Sequence, residues 1–283
     1  MKRWLFCFAL LAAAACGERQ SQPQQLVVMT MNMRYDNPED GENNWRFRRE
    51  RIAAMLREQA PDVFGTQELL ANQYDDLGAL LPDYRSVGVG REDGDRSGEF
   101  NAVFFRADAF ELLDSGTFWL SEEPERPGSK GWDGACERLA TWVVLRRGGD
   151  GREFLFINTH LDHVGEQARR EGVALLLRRI ETLRGDRPVI LTGDFNAEPD
   201  SPVIAHVVEG ALLKSTGEVA AEKFGPSWSF ADFGQIPEEG PLIDYIFIGG
   251  DLRSDRYEVL PDLYEGGYLS DHAPVTARLT FTR

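Results

Sequence analysis

Histidine and cysteine are scarce in this chain, four and three among 283 residues. So few nitrogen and sulfur ligands leave little material for a zinc centre, which draws on both. Basic charge is also short, 31 lysines and arginines against 47 acidic residues, for a net charge of -16. Such acidity opposes non-specific attachment to DNA, RNA or anionic lipid, but leaves a phosphate substrate open where a cation sits at the site. The sequence has no internal repeat, no heptad pattern and no hydrophobic hairpin of the kind that enters a membrane. Its N-terminal apolar run covers residues 4–15, too short to span a bilayer.

That run follows Lys2 and Arg3 and ends on Ala-Ala-Cys-Gly, the layout of an export signal. It is similar to a bacterial lipoprotein signal, which implies cleavage before Cys16 and lipidation of that residue. The expected division is a signal peptide at 1–15, a polar tether at 16–25 and one domain at 26–283. Cleavage removes two of the 31 basic residues and moves the net charge from -16 to -18. It leaves Cys16 and Cys136, so no intrachain disulfide is expected. Cys136 reads as a buried small side chain.

From residue 26 onward the composition does not break. Apolar runs predict strands at 26–31, 63–66, 102–105, 141–145, 154–158, 189–192, 243–248 and 275–281. Helical spacing predicts helices at 46–59 and 166–183, and Ser201-Pro202 starts a third that stops at Gly210. Mixed elements in this proportion point to two sheets packed face to face with helices outside. Long polar loops at 88–99, 121–137 and 214–240 are candidates for the rim of a site. The basic clusters "RFRRER" and "ARREG" lie on predicted helices, where a solvated outer face is the expectation.

The chemistry collects at strand ends. "LVVMTMNMR" ends in Asn32 and Arg34, "DVFGTQE" in Glu68, and "FLFINTHLDH" in His160, Asp162 and His163. "VILTGDFNAEPDS" delivers Asp194 and Asn196, "LIDYIFIG" starts at Asp244, and "SDHAPV" sets Asp271 and His272 before the last strand. If these ends meet at one edge, four carboxylates share a pocket, and they repel unless a cation neutralises them. Carboxylate and amide oxygens suit Mg²⁺, Mn²⁺ or Ca²⁺. A rival zinc reading rests on His160-x-Asp162-His163, part of the HxHxDH motif of the metallo-β-lactamase fold, but Asn158 stands in the first position.

In order along the chain, "TMNMR", "TQE", "NTHLDH", "GDFNAEPDS", "IDYIF" and "SDHAPV" resemble the endonuclease/exonuclease/phosphatase superfamily, of which deoxyribonuclease I is typical. The longer stretches "RYDNPEDGENNWRFRRERI" and "SGTFWLSEEPERPGSKGWDGACERLATWV" look like its bacterial metal-dependent hydrolases. The resemblance implies an α+β fold, a four-layer αββα sandwich of two packed mixed β-sheets flanked by helices. It implies a phosphoric ester hydrolase using Mg²⁺ (or Mn²⁺), with Asn32, Glu68 and Asp271 at the metal and His160, Asp194, Asn196, Asp244 and His272 catalytic. His272, held by Asp244, would be general base or phosphate-polarising imidazole. Arg34, Arg138 and His163 are substrate-binding candidates, each with a salt bridge, surface or supporting role as the alternative.

The expected substrate is a phosphodiester or phosphomonoester, small or glycan-linked, met by a monomer held in the cell envelope through its N-terminal lipid anchor, or else secreted. An extracellular or periplasmic nuclease is the second choice. A non-catalytic envelope lipoprotein acting as a binding module is the alternative of another class. Such a module would have lost ligands, whereas every matched position here carries a chemically competent side chain.

Overall fold

The computed structural model describes residues 25–236 and 240–282. The expected signal peptide, Cys16 and the tether up to residue 24 lie outside the described residues. The chain opens with β1 (Leu26–Asn32), α1 (Trp45–Gln59), β2 (Val63–Gln67), α2 (Ala71–Leu80), β3 (Tyr84–Val87), β4 (Val103–Arg106) and β5 (Phe110–Trp119). It continues through β6 (Leu139–Arg147), β7 (Glu153–His160), α3 (Glu166–Arg184), β8 (Val189–Asp194), α4 (Pro202–Glu209), β9 (Lys214–Ser215), α5 (Thr216–Val219) and β10 (Glu222–Phe224). It closes with β11 (Asp244–Gly249), β12 (Leu252–Val259), a small hairpin of β13 (Leu263–Tyr264) and β14 (Gly267–Tyr268), and β15 (Val275–Phe281).

One sheet of seven strands has the order β10-β12-β15-β1-β2-β4-β3, and a second of six has β5-β6-β7-β8-β11-β9. Three apolar layers separate four layers of structure. Leu26, Val28, Val63 and Phe105 meet Val143, Phe154, Phe156, Ile190 and Ile246 between the sheets. On the outer face of the seven-stranded sheet, Met29, Met31, Phe64 and Phe104 pack under Ile52, Met55 and Leu56 of α1 and Leu77 of α2. On the outer face of the other sheet, Leu155, Ile157 and Leu191 pack under Val173, Leu176 and Ile180 of α3 and Val203 and Ile204 of α4. Successive residues of β7, Phe154 to Ile157, therefore alternate between two cores, which is why the strand reads as an unbroken apolar run.

The eight predicted strands are all present, and they form the four central positions of each sheet, β15-β1-β2-β4 and β6-β7-β8-β11. α4 begins as its sequence proposed: the Ser201 side chain accepts a hydrogen bond from the Ile204 N–H, with Pro202 in the first turn. A Gly-rich turn at Gly148, Gly149 and Gly151 closes the β6–β7 hairpin, where the Arg147 N–H donates to the Arg152 carbonyl.

Register brings the motifs together. β1 and β2 run parallel with Asn32 opposite Gln67, β7 and β8 run parallel with His160 opposite Asp194, and β11 runs antiparallel to β8 with Asp244 opposite Asp194. A polar bridge joins the two sheets just behind this edge. Gln67 Nε2 donates to Asn158 Oδ1 at 2.7 Å, and Asn158 Nδ2 donates to the Thr66 carbonyl at 2.7 Å. Gly65 permits it, since a Cβ there would lie 2.3 Å from Asn158 Oδ1.

Candidate active site

At the strand ends the chain must turn away while leaving its side chains behind. Arg34, Glu68 and Asn196 do so with left-handed backbone, φ 52°, 64° and 45°, which costs a non-glycine residue about 1 kcal/mol or more each. Hydrogen bonds link these strand ends around Asp194. Asn32 Nδ2 donates to Glu68 Oε1 at 2.9 Å and to Asp194 Oδ2 at 3.0 Å, and the Asn196 N–H donates to Asp194 Oδ1 at 2.9 Å. Asp194 Oδ2 also lies 3.4 Å from His160 Nε2 and 3.8 Å from His272 Nε2. His272 Nδ1 is 2.7 Å from Asp244 Oδ2, and the Ser229 hydroxyl accepts from the Ile243 and Asp244 N–H groups, fixing that carboxylate's backbone. Phe230 lies against the His272 ring, centroids 4.9 Å apart.

The charges are strongly perturbed. Burial opposes an imidazolium at His272, yet the charge and hydrogen bond of Asp244, reinforced by Asp194 and Asp271, hold its pKa well above the usual histidine value. His160 goes the other way: burial, and then Arg138 and Arg91, keep it neutral. Burial, and then the neighbouring Asp244 carboxylate, push Asp194 up to about 7. Asp271 is likewise raised, first by burial, with Glu68 adding to the effect.

This donor set fits a hard divalent cation. Asp194, Asp244 and His272 form a buried group with ligand atoms within 4.8 Å of one another, but the His272–Asp244 hydrogen bond engages the imidazole, so the oxygens best placed for a cation are those of Asp194 and its cavity neighbours. Asp244 Oδ1 is buried and has no hydrogen-bond partner among the described residues. Glu68 and Asp271 line the same cavity as Asp194 and His272. Asn32, expected beside the metal, lies between two of the carboxylates. Its Oδ1 accepts from the Arg34 N–H at 3.0 Å, so it turns its amide nitrogen to the carboxylates and acts as a strut between Glu68 and Asp194.

The cavity, about 540 Å³, takes its walls from all three long loops: Arg91 and Glu99 from 88–99, Cys136 from 121–137, and Phe230 and Asp232 from 214–240. Arg34, Arg138 and His163 all line it. Arg34 is held by Asp40 through two 3.0 Å hydrogen bonds and lies 3.6 Å from Asp271. Arg138 is buried, and its Nη2 is 3.0 Å from Nδ1 of the exposed His163. Cys136 is half-buried at the cavity wall instead of enclosed in a core, because the polar loop that carries it packs against the pocket and not beneath a sheet.

The zinc motif is dispersed by the geometry. His160 is engaged by Asn196 and Asp194, whereas Asp162 spends its carboxylate on four backbone N–H groups, those of Ala135, Cys136, Val164 and Gly165. Cys136, Asp162 and His163 do form a second group with ligand atoms within 4.8 Å, but Arg138 stands beside it, 3.6 Å from Asp162 Oδ2. With both Asp162 oxygens already taken by four backbone N–H groups, little is left there for a metal ion.

Sequence reasoning missed two supports. Arg48, read as part of a solvated basic face, is fully buried. Its guanidinium donates to the carbonyls of Met33, Arg34, Asn43 and Leu269, tying the exit of β1 to the loop carrying Asp271, and burial lowers its pKa to about 10. It escaped notice because one arginine in a charged run carries no mark of burial; its spacing of four before Ile52 was the only signal. Arg91 and Glu99 are the second: their loop was a candidate for the rim, but nothing in its sequence singles out these two residues.

The chain belongs to the Endonuclease/Exonuclease/phosphatase family, whose model matches residues 29–272. It is thus a phosphoesterase of that family, with the deoxyribonuclease I-like fold. An endonuclease/exonuclease/phosphatase from Bacteroides vulgatus is 40% identical, with a TM-score of 0.89, covering 91% of this chain and 99% of that one. A mannosyl-6-phosphatase from Bacteroides thetaiotaomicron is 36% identical, with a TM-score of 0.86, covering 90% and 100%. Among curated sequences, a CCR4-Not complex 3′-5′-exoribonuclease subunit from Emericella nidulans is 24% identical over 84% of this chain and 48% of its own length. The chain spans about half the length of that relative.

Proposed function

We propose that this protein is a divalent-metal-dependent phosphomonoesterase that removes phosphate from a sugar or glycan at the cell envelope. The observation that carries this reading is the bounded pocket: a carboxylate–imidazole floor beneath arginines, about 540 Å³ in volume, room for a phosphate and one sugar-sized group. The likeness to a mannosyl-6-phosphatase supports it. Glu68 and Asp271, with Asp194 nearby, are the residues to hold Mg²⁺ or Mn²⁺. When bound, the ion supplies charge neutralisation for the phosphoryl oxygens and the leaving oxygen.

The chain's own residues divide the remaining work. Asp194, oriented by Asn32 and Asn196, accepts a proton from the attacking water. The water oxygen bonds to phosphorus as the bond to the leaving oxygen breaks, and the alcohol takes its proton from solvent. His272, kept charged by Asp244, donates to a phosphoryl oxygen where negative charge builds. Neutral His160, with Asn196 and the buried Arg138, contacts the other oxygens.

A nuclease is the second reading, favoured by the sequence match to exoribonuclease subunits. The test is a substrate panel: mature protein with Mg²⁺ or Mn²⁺ against a hexose 6-phosphate, p-nitrophenyl phosphate, bis-p-nitrophenyl phosphate, plasmid DNA and an oligoribonucleotide. The expected outcome is at least tenfold higher kcat/KM on the monoesters. Preferential cleavage of the diester or of a polynucleotide would overturn the reading.

Location follows the same proposal. No helix among the described residues is long and apolar enough to cross a membrane, and the attachment proposed is a lipid on Cys16, ahead of the fold.

A further inference from the structure

Resting on the monoesterase reading above, we propose that Arg91 and Glu99 form the subsite for the leaving group and select an alcohol rich in hydroxyls, a sugar, over a plain aryl or alkyl group. Both residues line the cavity that holds Glu68, His160 and Asp194. Arg91 Nη1 donates to Glu99 Oε2 at 2.5 Å, and both side chains are largely buried, 14% and 16% exposed. The pair is only half satisfied. Arg91 Nε is buried and has no hydrogen-bond partner among the described residues.

A buried ion pair gives little stability in itself, because the desolvation of both charges offsets their attraction. This one is placed at further cost, since Glu99 stands in the field of Glu68, and burial followed by that charge pushes its pKa up to about 7. What such a pair offers is an adjacent acceptor and donor. A hydroxyl both donates and accepts, so two neighbouring hydroxyls of a sugar ring satisfy a carboxylate oxygen and guanidinium N–H groups together. An aryl leaving group leaves the buried Arg91 N–H without a partner, a penalty that underlies strong discrimination against substrates lacking the hydroxyl. Glu99 also neutralises Arg91, so the pair is ill suited to a second phosphate of a polynucleotide.

The loop that presents the pair is built to hold it still. The Arg91 N–H donates to the Glu99 carbonyl, Gly90 N–H to the Asp95 carbonyl, Glu92 N–H to the Ser97 carbonyl, and Phe100 N–H to the carbonyl of Leu69, two residues beyond β2. Asp93 accepts from the N–H groups of Asp95 and Ser97, and Trp119 Nε1 donates to the Arg91 carbonyl at 2.6 Å. A Cβ on Gly90 would lie 2.2 Å from the Ser97 carbonyl oxygen, so the turn admits no larger residue without rearrangement.

The test compares kcat/KM for a hexose 6-phosphate with that for p-nitrophenyl phosphate in wild type, Glu99→Gln and Arg91→Lys, with thermal unfolding as the check on folding. The expected result is that each substitution lowers the hexose phosphate value at least tenfold more than the aryl phosphate value. Equal losses on both substrates, or no change in the ratio, would overturn the proposal. A binding arm keeps it separate from the monoesterase reading. In His272→Ala protein loaded with Mg²⁺, calorimetry should give tighter binding of hexose 6-phosphate than of phenyl phosphate, and Glu99→Gln should abolish the difference. Discrimination in binding without turnover by wild type would sink the monoesterase reading and keep the subsite; turnover without discrimination would do the reverse.

Discussion

Asp162 illustrates how a residue beside a catalytic motif can serve the fold. Four backbone N–H groups close on its carboxylate, pinning the 133–136 segment to the turn that enters α3. Burial opposes its charge, but those four donors win and hold its pKa well below the ordinary carboxylate range. A depressed folded pKa means a contribution that is present above the unfolded value, about 3.9, and is lost as pH falls through the folded one. Asp162→Asn should therefore lower stability by about 3 kcal/mol at pH 7, since its amide leaves two buried donors unsatisfied. In thermal unfolding, the gap between variant and wild type should narrow below about pH 4. A gap that stayed constant from pH 7 to pH 3 would contradict this role. The sequence put Asp162 in a rival zinc motif; its task was hidden because its partners are backbone amides contributed from elsewhere in the chain.

At the scale of elements, legibility followed burial. The central strands show as apolar runs because both faces are covered, whereas β3 with Arg85, β5 with its bulge between Leu112 and Asp114, and β12 with Arg253, Asp255 and Arg256 lie at or near sheet edges and mix charge with apolar residues. α2 was invisible for a similar reason: only Gln73 and Leu77 of its ten residues are buried. The candidate site could be read because its residues sit at the ends of those legible strands, in register with one another. The rim could be read only as three long loops, all of which do line the cavity; which of their residues reach it, such as Arg91, Glu99 and Phe230, no periodicity reports. The bridge behind the site depends on a bare backbone at Gly65, where an added Cβ would also meet Thr192 Oγ1 at 2.5 Å. Gly65→Ala should force β2 away from β7 and cost about 3 kcal/mol by overpacking, read as a lower denaturation midpoint. Unchanged stability would show that the sheets are not held this closely.

Taken whole, the molecule is an acidic sandwich of net charge -16 that gathers Arg34 and Arg138, beside the Arg91–Glu99 ion pair, into one acidic pocket. That concentration suits capture of a small dianion and not a long track along a polymer. If Cys16 carries the lipid proposed for it, Cys16→Ser should move the protein from the membrane fraction to the soluble fraction of its host and abolish incorporation of labelled fatty acid, with turnover by the released domain retained. Membrane association surviving the substitution would remove the anchor from the account.

The central claim is that this pocket hydrolyses a phosphomonoester with an ion held by Glu68 and its neighbours. Its most direct test is turnover of a hexose 6-phosphate by protein stripped with EDTA, then resupplied with Mg²⁺ or Mn²⁺, in wild type and Glu68→Gln. The account expects wild-type activity to vanish on chelation and return with metal, and the variant to recover less than about a thousandth of it. Turnover that persists in EDTA, or a Glu68→Gln enzyme as active as wild type, would contradict it.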